Sequence, residues 1–236
     1  MKEILSNKKQ SIPVMSFLVI QFVLYCLILF GEINHENILC FLTVFLSFAV
    51  SFVFFSVGKK TYITHLALLF TVIADIFLVL CDPKIQSLAM ISFSVVQMLY
   101  LYRIVSEQEK SKLNVIHIAV RAVLTIVVLA ITAIILKEKT DFVSLVSMFY
   151  FTNLVLNVVF VLFNKNSSWL LKVGLVCFMF CDIFVGLGQL GDYLPISETS
   201  FVYQLIHAPF NFIWFFYTPA QTMLCLSTAK QNFQQK

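Results

Sequence analysis

The stretch LALLFTVIADIFLVL, residues 66–80, is apolar apart from Thr71 and Asp75 and belongs to a run of membrane length. The stretch LVCFMFCDIFVGLG, residues 175–188, repeats the string Asp-Ile-Phe at Asp182 in a second such run. An ionised carboxylate in hydrocarbon costs at least about 3 kcal/mol, so an aspartate there is predicted to mark a functional site. The alternative is that both acids are protonated and share one hydrogen bond that holds helices together.

The composition predicts an all-α integral membrane protein. Of the 236 residues 60% are hydrophobic and 12% are charged, whereas a soluble domain carries about 25% charged residues. The apolar residues form runs of about 20, the length that an α-helix needs to cross a bilayer. Strands of a membrane barrel would instead alternate polar and apolar residues. We predict one polytopic membrane domain, 1–236, with eight transmembrane helices at 12–30, 37–57, 62–81, 87–102, 113–136, 142–163, 169–190 and 201–226.

The basic residues predict the orientation of the chain. With the N-terminus inside, three lysines outside the spans fall on the outer side (Lys84, Lys137 and Lys139), against eleven lysines and arginines on the inner side. Cytoplasmic loops carry an excess of these residues, so both termini are predicted to be cytoplasmic, in the cell (inner) membrane. The first span is longer than the core of a signal peptide, which indicates a retained helix. The inner residues are Lys2, Lys8, Lys9, Lys59, Lys60, Arg103, Lys110, Lys112, Lys165, Lys230 and Lys236.

A weak internal repeat relates the two aspartate-bearing spans. Placing Asp75 on Asp182 also pairs Ala67 with Gly174, and it pairs Gln97 with Gln204 in the span that follows each aspartate. The third and seventh spans would run in the same direction, which predicts two parallel four-helix halves with these helices facing each other. Chance similarity between spans rich in leucine and phenylalanine is the alternative.

The two aspartates are predicted to lie at one depth. Each is thirteen residues past the start of its span, about 20 Å along a helix, and therefore in the outer half of the bilayer. Two carboxyls that share a cavity do not both ionise readily. Such a division into one acid and one base suits hydrolytic chemistry, so Asp75 and Asp182 are the predicted catalytic residues.

Other polar side chains in the spans are predicted to bind a ligand near the aspartates. Gln204, His207 and Asn211 follow the spacing i, i+3, i+7, which predicts that they share one face of the eighth helix. The remaining candidates are Gln97, Tyr100, Asn153, Tyr217 and Gln221.

Prolines and one arginine interrupt the apolar pattern of the spans. Pro209 and Pro219 are expected to kink the eighth helix and to free carbonyls for hydrogen bonding. Arg121 is expected to snorkel to the membrane surface or to bind another helix. Asn153 and Asn157 form an i, i+4 polar pair on the sixth span.

Several kinds of site are not predicted. The sequence has no glycine-rich phosphate loop, no serine nucleophile elbow and no His-Glu-x-x-His zinc motif. Cys177 and Cys181 are spaced i, i+4, but the four histidines are scattered, so no metal and no cofactor are predicted. The basic residues are too dispersed to indicate nucleic acid binding. Membrane lipids are therefore the predicted partners.

Short motifs around the aspartates resemble the YhhN family of integral membrane proteins, which includes lysoplasmalogenases. The motifs are Ala-Leu-Leu-Phe-Thr-Val-Ile-Ala-Asp at residues 67–75, Gly-Leu-Val-Cys-Phe-Met-Phe-Cys-Asp at 174–182, and Tyr-Thr-Pro-Ala-Gln at 217–221. The resemblance covers most of the chain. The sequence departs from the family in three places, with Ala74 where the family has glycine, Cys181 where it has serine, and Gln97 where it has histidine.

What the resemblance implies is hydrolysis of the vinyl ether bond of lysoplasmalogens to a fatty aldehyde and a glycerophospho-alcohol. A general acid protonates the alkenyl carbon, and water attacks the resulting oxocarbenium ion; one aspartate suits the first step and the other the second. Two alternatives stay open: a small proton-coupled transporter, because such proteins also use intramembrane carboxylates, and a non-catalytic lipid-binding protein, because of the departure at Gln97.

Overall fold

The computed structural model is helical throughout the residues that it describes, which are 8–31, 36–55, 62–81, 83–107 and 112–233. A single turn of π-helix, Ile76–Leu80, continues α3, and a 3₁₀ turn, Lys137–Lys139, follows α5. The helices are α1 Lys8–Phe30, α2 Glu36–Phe55, α3 Tyr62–Asp75, α4 Gln86–Glu107, α5 Lys112–Leu136, α6 Phe142–Phe163, α7 Trp169–Tyr193, α8 Phe201–Ile206 and α9 Phe212–Phe233.

Seven segments within the described residues are long and apolar enough to cross a membrane, and they coincide with the first seven predicted spans. The fourth is longer than predicted, because α4 continues past residue 102 through Arg103, whose side chain is buried and hydrogen-bonded inside the bundle. The seven segments are Ser11–Phe30, Glu36–Phe54, Tyr62–Leu80, Gln86–Glu107, His117–Lys139, Phe142–Phe163 and Trp169–Tyr193.

The prediction of a continuous eighth span at 201–226 is not confirmed. The chain there forms two helices, α8 and α9, with a break at residues 207–211 that contains Pro209. Proline has no N–H to donate and disfavours helical geometry in the residue before it, which explains the break. α9 itself carries many polar residues, and it can do so because its neighbours are α1, α2, α3 and α7 rather than lipid.

Pro219 lies inside α9 and does not end it. A proline leaves the carbonyl four residues earlier without its helical donor, and that carbonyl belongs to Phe215. The Tyr25 hydroxyl of α1 donates to it over 3.3 Å. The predicted freeing of a carbonyl by this proline is therefore accompanied by a bond between α1 and α9.

α7 and α9 form the most extensive helix pair of the bundle, and Gly174 lies in it. A Cβ atom on Gly174 would lie 2.9 Å from Leu224 Cγ and 3.3 Å from the Leu224 backbone nitrogen. Only a residue without a side chain lets the two backbones approach so closely, so the small residue at this position has a packing role.

One end of the bundle is held together by Arg103. Its Nη1 atom donates to Thr64 of α3 and to Ser227 of α9, each over 2.7 Å, and its Nε atom donates to Glu107 over 3.1 Å. Glu107 in turn accepts from Ser167, in the connection between α6 and α7, over 2.6 Å. This end, which is the predicted cytoplasmic one, therefore joins α3, α4, α9 and the α6–α7 connection.

The opposite end is fastened by the segment between α5 and α6. Lys139 Nζ donates to the carbonyls of Asp192 and Tyr193 at the end of α7, over 3.2 and 2.9 Å. Asp141 begins α6 with a capping box, accepting from the Ser144 backbone N–H over 2.7 Å while Ser144 Oγ accepts from the Asp141 N–H. Five of the eleven basic residues that predict the orientation lie outside the described residues, namely Lys2, Lys59, Lys60, Lys110 and Lys236.

Candidate functional site

Asp75 is the last residue of regular α3, and its side chain is 2% exposed. The hydroxyl of Tyr217, on α9, donates to both carboxyl oxygens, over 3.1 Å to Oδ1 and 2.9 Å to Oδ2. The π-helical turn Ile76–Leu80 follows directly. π-helical turns are rare in proteins as a whole, and those that occur lie frequently at functional sites.

Asp182 lies in the middle of α7 and is half-buried. The hydroxyl of Tyr150, on α6, donates to its Oδ2 atom. Tyr150 is itself 5% exposed, so the second carboxyl also has a tyrosine partner supplied by a neighbouring helix. The two aspartates are thus matched in chemistry: each is an acid that accepts from one buried phenol.

A chain of aromatic rings connects the two Asp–Tyr pairs. The Tyr150 ring packs on Phe93 at 5.4 Å, Phe93 on Phe178 at 6.0 Å, and Phe178 on Tyr217 at 5.6 Å, measured between ring centroids. The two pairs therefore belong to one region of the bundle.

The helices that carry the aspartates do not face each other as predicted from the repeat. Among the described residues, α3 packs mainly on α2 and α4, and α7 packs mainly on α9 and α6. The carboxyls meet their partners through α9 and α6 instead. The pairing of Gln97 with Gln204 also fails in the structure, because Gln97 is fully buried in α4 whereas Gln204 is exposed on α8.

A series of side-chain hydrogen bonds, the relay, begins at Arg121 and ends at Gln97 of α4. Arg121 Nη2 donates to Asn157 Oδ1 over 2.8 Å, and Asn157 Nδ2 donates to Gln97 Oε1 over 3.0 Å. Arg121 Nη1 donates to Asn153 Oδ1 over 2.7 Å. Arg121 thus binds α6, as one of the two alternatives expected from the sequence, and Asn153 and Asn157 serve as its partners.

Tyr100 and Gln221 are the remaining predicted ligand-binding residues of the interior, and both are fully buried. Within the part of the chain that the structure describes, the Tyr100 hydroxyl has no hydrogen-bond partner, and neither has the amide oxygen or nitrogen of Gln221. The Nε2 atom of Gln97 is in the same situation. These groups lie on α4 and α9, the helices that also supply Phe93 and Tyr217 to the aspartate region.

The predicted shared face of Gln204, His207 and Asn211 is wrong, because the helix ends at Ile206 and begins again at Phe212. Gln204 and His207 are exposed, and His207 Nδ1 contacts the Tyr203 carbonyl at 2.9 Å. Asn211 caps α9 by accepting from the Trp214 N–H over 3.3 Å, and it donates to Glu36 over 3.2 Å. The structure does not bring these three residues into the aspartate cluster.

Two residues of this interior were not identified as candidates from the sequence. Tyr150 precedes Asn153 and Asn157 at spacing i, i+3, i+7, so a search for polar faces on α6 would have found it. Arg103 was assigned to the inner rim as one charge among eleven, and only its partners Thr64 and Ser227, far apart in sequence, reveal that it is buried.

Comparison with known proteins gives one match. A protein-family model described as the YhhN family matches residues 38–228 of the chain. The matched segment runs from α2 into α9 and contains both Asp–Tyr pairs. No curated protein and no solved structure matches the chain.

Proposed function

This chain belongs to the YhhN family, and from that premise we propose that it is a membrane-embedded hydrolase of lysolipids. The reaction is cleavage of the vinyl ether bond of a lysoplasmalogen, with Asp75 and Asp182 as acid and base. The observation that carries the proposal is the pairing of each intramembrane carboxyl with one buried tyrosine, in two pairs that a chain of aromatic rings connects.

The chemistry needs one protonated and one ionised carboxyl. The protonated aspartate transfers its proton to the alkenyl carbon β to the ether oxygen, and the adjacent carbon becomes an oxocarbenium ion. The ionised aspartate stabilises that cation and takes a proton from the attacking water. The resulting hemiacetal then breaks its carbon–oxygen bond to give the aldehyde and the glycerophospho-alcohol. The net reaction consumes one water and needs no other co-reactant.

The tyrosines and the nearby surface support a lipid substrate. Tyr150 and Tyr217 hold the carboxyls in fixed positions, and catalysis requires that the reacting groups be held in place beside the substrate. A groove of about 350 Å³ lies on the outside of α4 and α6, lined by Ile91, Met98, Phe149 and other residues. Phe149 and Tyr150 both belong to α6, so a hydrocarbon chain in this groove would lie against the helix that carries the partner of Asp182. We do not assign the lipid to Gln97, Tyr100 and Gln221, because their side chains are fully enclosed, and Asn153 serves as a partner of Arg121.

The test is replacement of each aspartate by asparagine, which keeps the size and removes both proton donation and negative charge. Asp75→Asn and Asp182→Asn should each lower turnover of lysoplasmalogen by about 10² or more. The double variant should be little worse than the worse single one, since residues that act as a unit are not additive. Asp192→Asn, on the exposed end of α7, is the matched control and should keep wild-type turnover.

The readout is mass spectrometry of purified protein incubated with a mixed panel of lysolipids, which reports aldehyde release from any headgroup. Both single variants should remain folded, because neutralising a membrane-buried acid removes a desolvation cost. Folded Asp75→Asn and Asp182→Asn proteins that hydrolyse every lysolipid at near-wild-type rates would contradict the proposal.

A second candidate function is proton-coupled transport, and the buried polar groups that continue from Asp75 past Gln97 to Arg103 favour it. A transporter would move solute across sealed vesicles and leave it chemically unchanged. Product formation in detergent solution, where no gradient exists, separates the two functions. Lysolipid binding without product formation would instead favour a non-catalytic lipid-binding protein.

A further inference from the structure

α4 and α9 run in the same direction, and Arg103 of α4 bonds Ser227 of α9 near their ends. Both helices are antiparallel to α3. Tyr217, near the start of α9, contacts Asp75 at the end of α3. Arg103 and Ser227, near the ends of α4 and α9, lie beside Thr64 at the start of α3. The bonded residues Arg103 and Ser227 are 124 positions apart.

Gln97 and Gln221 are separated by the same 124 positions. Each therefore lies six residues, or about 9 Å, before its own member of the Arg103–Ser227 bond, which places the two glutamines at similar depths in the bundle. This level is also one helical turn from Tyr217, the partner of Asp75. The two glutamines thus mark a layer between the carboxyls and the Arg103 end of the bundle.

Five buried side-chain atoms at or next to this layer have no hydrogen-bond partner among the described residues. The four residues concerned are enclosed, with exposures of 0% for Gln97, Tyr100 and Gln221 and 3% for Thr218. Native interiors leave very few such groups unpaired, so a cluster of them indicates a site that binds something polar. The five atoms are Gln97 Nε2, Tyr100 Oη, Thr218 Oγ1, Gln221 Oε1 and Gln221 Nε2.

The relay from Arg121 fixes which atom of the Gln97 amide faces this layer. A guanidinium only donates, so the atom of Asn157 that it contacts must be the oxygen. The Asn157 nitrogen then donates to Gln97, which must contribute its own oxygen. Gln97 Nε2 is therefore left as an obligatory donor that points away from the relay, and it requires an acceptor.

The mixture of groups identifies the chemistry of the ligand. Gln97 offers a donor, the Gln221 amide offers both a donor and an acceptor, and the hydroxyls of Tyr100 and Thr218 each offer both. The layer has no charge of its own to balance a phosphate or an ammonium group, since the Arg103 guanidinium is bonded to Glu107, Thr64 and Ser227.

We infer that Gln97, Tyr100, Thr218 and Gln221 form an internal hydration site that binds a small cluster of water molecules. A bound water needs two to four polar partners, and the five atoms of the layer supply them. The enclosure of all four side chains favours water over the glycerol hydroxyl of a lipid, which would bring a bulky chain with it. A hydrolase whose reacting atoms lie in a bilayer needs a source of water, and this site lies one turn from the Asp75–Tyr217 pair.

Hydroxyl-radical footprinting by X-ray radiolysis tests the site, because radicals formed from bound water oxidise the buried side chains beside it. Tyr100 should be oxidised in the wild-type protein, and the rate should fall at least about fivefold in Gln221→Leu and in Gln97→Leu. Gln21→Leu is the matched control: it alters a buried glutamine on α1 that bonds Thr43 and Ser47 of α2, and it should leave Tyr100 oxidation unchanged.

Either of two results would overturn the inference. One is a wild-type Tyr100 rate as low as that of both leucine variants. The other is suppression of Tyr100 oxidation by a saturated, non-hydrolysable ether lysolipid, which would mean that a lipid hydroxyl occupies the site.

The hydration site rests on the proposed function only in that its water would serve the hydrolysis. The hydration site and the hydrolase can therefore be refuted separately. Oxidised Tyr100 in a protein that hydrolyses no lysolipid would refute the hydrolase and keep the hydration site. Absence of Tyr100 oxidation in a protein that hydrolyses lysolipid would refute the hydration site and keep the hydrolase.

Discussion

Tyr150 and Tyr217 differ from the aspartates in that they contribute a hydrogen bond to the site and no charge. Tyr150→Phe and Tyr217→Phe should both lower lysolipid turnover. The loss should be about 10- to 100-fold for the tyrosine that bonds the ionised carboxyl, because a hydrogen bond to a charged group contributes about 1.5–3 kcal/mol, and smaller for the other. The loss should be smaller than for the asparagine variants, since the carboxyls remain. The measurement is turnover at saturating lysolipid.

Tyr25→Phe is the control for the tyrosine series. It removes a hydroxyl that donates to the Phe215 carbonyl and not to a carboxyl, so it should leave turnover within about twofold of wild type. A Tyr25→Phe loss equal to those of the other two would mean that the hydroxyls act through helix packing rather than through Asp75 and Asp182.

The sequence identifies the acids of the site better than their partners. Asp75 and Asp182 stand out because a charged residue in an apolar run is costly, and Tyr217 and Gln221 belong to a motif near the end of the chain. Tyr150 gives no such signal, because tyrosine is common in membrane helices and its role depends on which helix lies beside α6. Arg103 lies at a helix end in the sequence, where a basic residue ordinarily faces water.

At the scale of helices, the close approach of α7 and α9 depends on Gly174. Gly174→Ala would place a Cβ atom 2.9 Å from Leu224 Cγ and 3.3 Å from its backbone nitrogen. Overpacking of this kind costs about 1–3 kcal/mol, so we expect a lower midpoint of thermal unfolding in detergent.

Gly186 lies on the same helix and provides the matched control. A Cβ atom there would meet nothing within 4 Å, so Gly186→Ala should be neutral or should stabilise the helix by up to about 1 kcal/mol. Equal destabilisation by both substitutions would show that α7 needs glycine for flexibility and not for contact with Leu224.

Asp141 controls the start of α6 and is exposed outside the membrane-spanning segments. The hydrogen bond that the Asp141 carboxyl accepts from the Ser144 backbone N–H holds the pKa of this carboxyl below its ordinary value. A lowered pKa in the folded state means that the stabilisation is complete above the unfolded value of about 3.9 and is lost as the pH falls through the folded value.

Asp141→Ala should therefore lower stability by about 1 kcal/mol at pH 7, as loss of a cap does, and the difference from wild type should shrink below about pH 4. Asp141→Asn keeps an acceptor for Ser144 without a titrating group and should show little pH dependence. Thermal unfolding from pH 7 to pH 3 measures both. A wild-type advantage over Asp141→Ala that persists unchanged at pH 3 would contradict this account of the cap.

The existence and bounds of the first seven long helices follow from hydropathy, because their outer surfaces meet lipid and must be apolar. The break between α8 and α9 does not follow, since hydropathy averages over Pro209 and Asn211. α9 packs on four other helices, so its polar residues Gln221 and Ser227 can lie buried inside the bundle. Helix order in space was also not predictable, because runs of leucine and phenylalanine carry little information about which neighbour they contact.

For the whole molecule, the polar groups divide the bundle along its axis into an Arg103 end, a layer at Gln97 and Gln221, and the Asp75 region beyond it. Arg103 bonds side chains of α3, α4 and α9, and its partner Glu107 accepts from Ser167 in the α6–α7 connection, which closes the bundle at this end. Entry of a lipid at that end is therefore opposed, and entry from the side is consistent with the groove on the outside of α4 and α6.

The orientation of this axis is a prediction from the basic residues, which place the Arg103 end in the cytoplasm. Lys165 and Glu198 are exposed at opposite ends of the bundle, one before α7 and the other after it. In intact cells, a membrane-impermeant maleimide should label Glu198→Cys and leave Lys165→Cys unlabelled until the membrane is permeabilised. The native cysteines lie in or at the edges of the spans, where hydrocarbon disfavours the reactive thiolate, so their background should be low. Labelling of Lys165→Cys in intact cells would mean that the protein has the opposite orientation. Asp75 and Asp182 would then lie nearer the cytoplasmic leaflet, and lysolipid would be supplied from inside the cell.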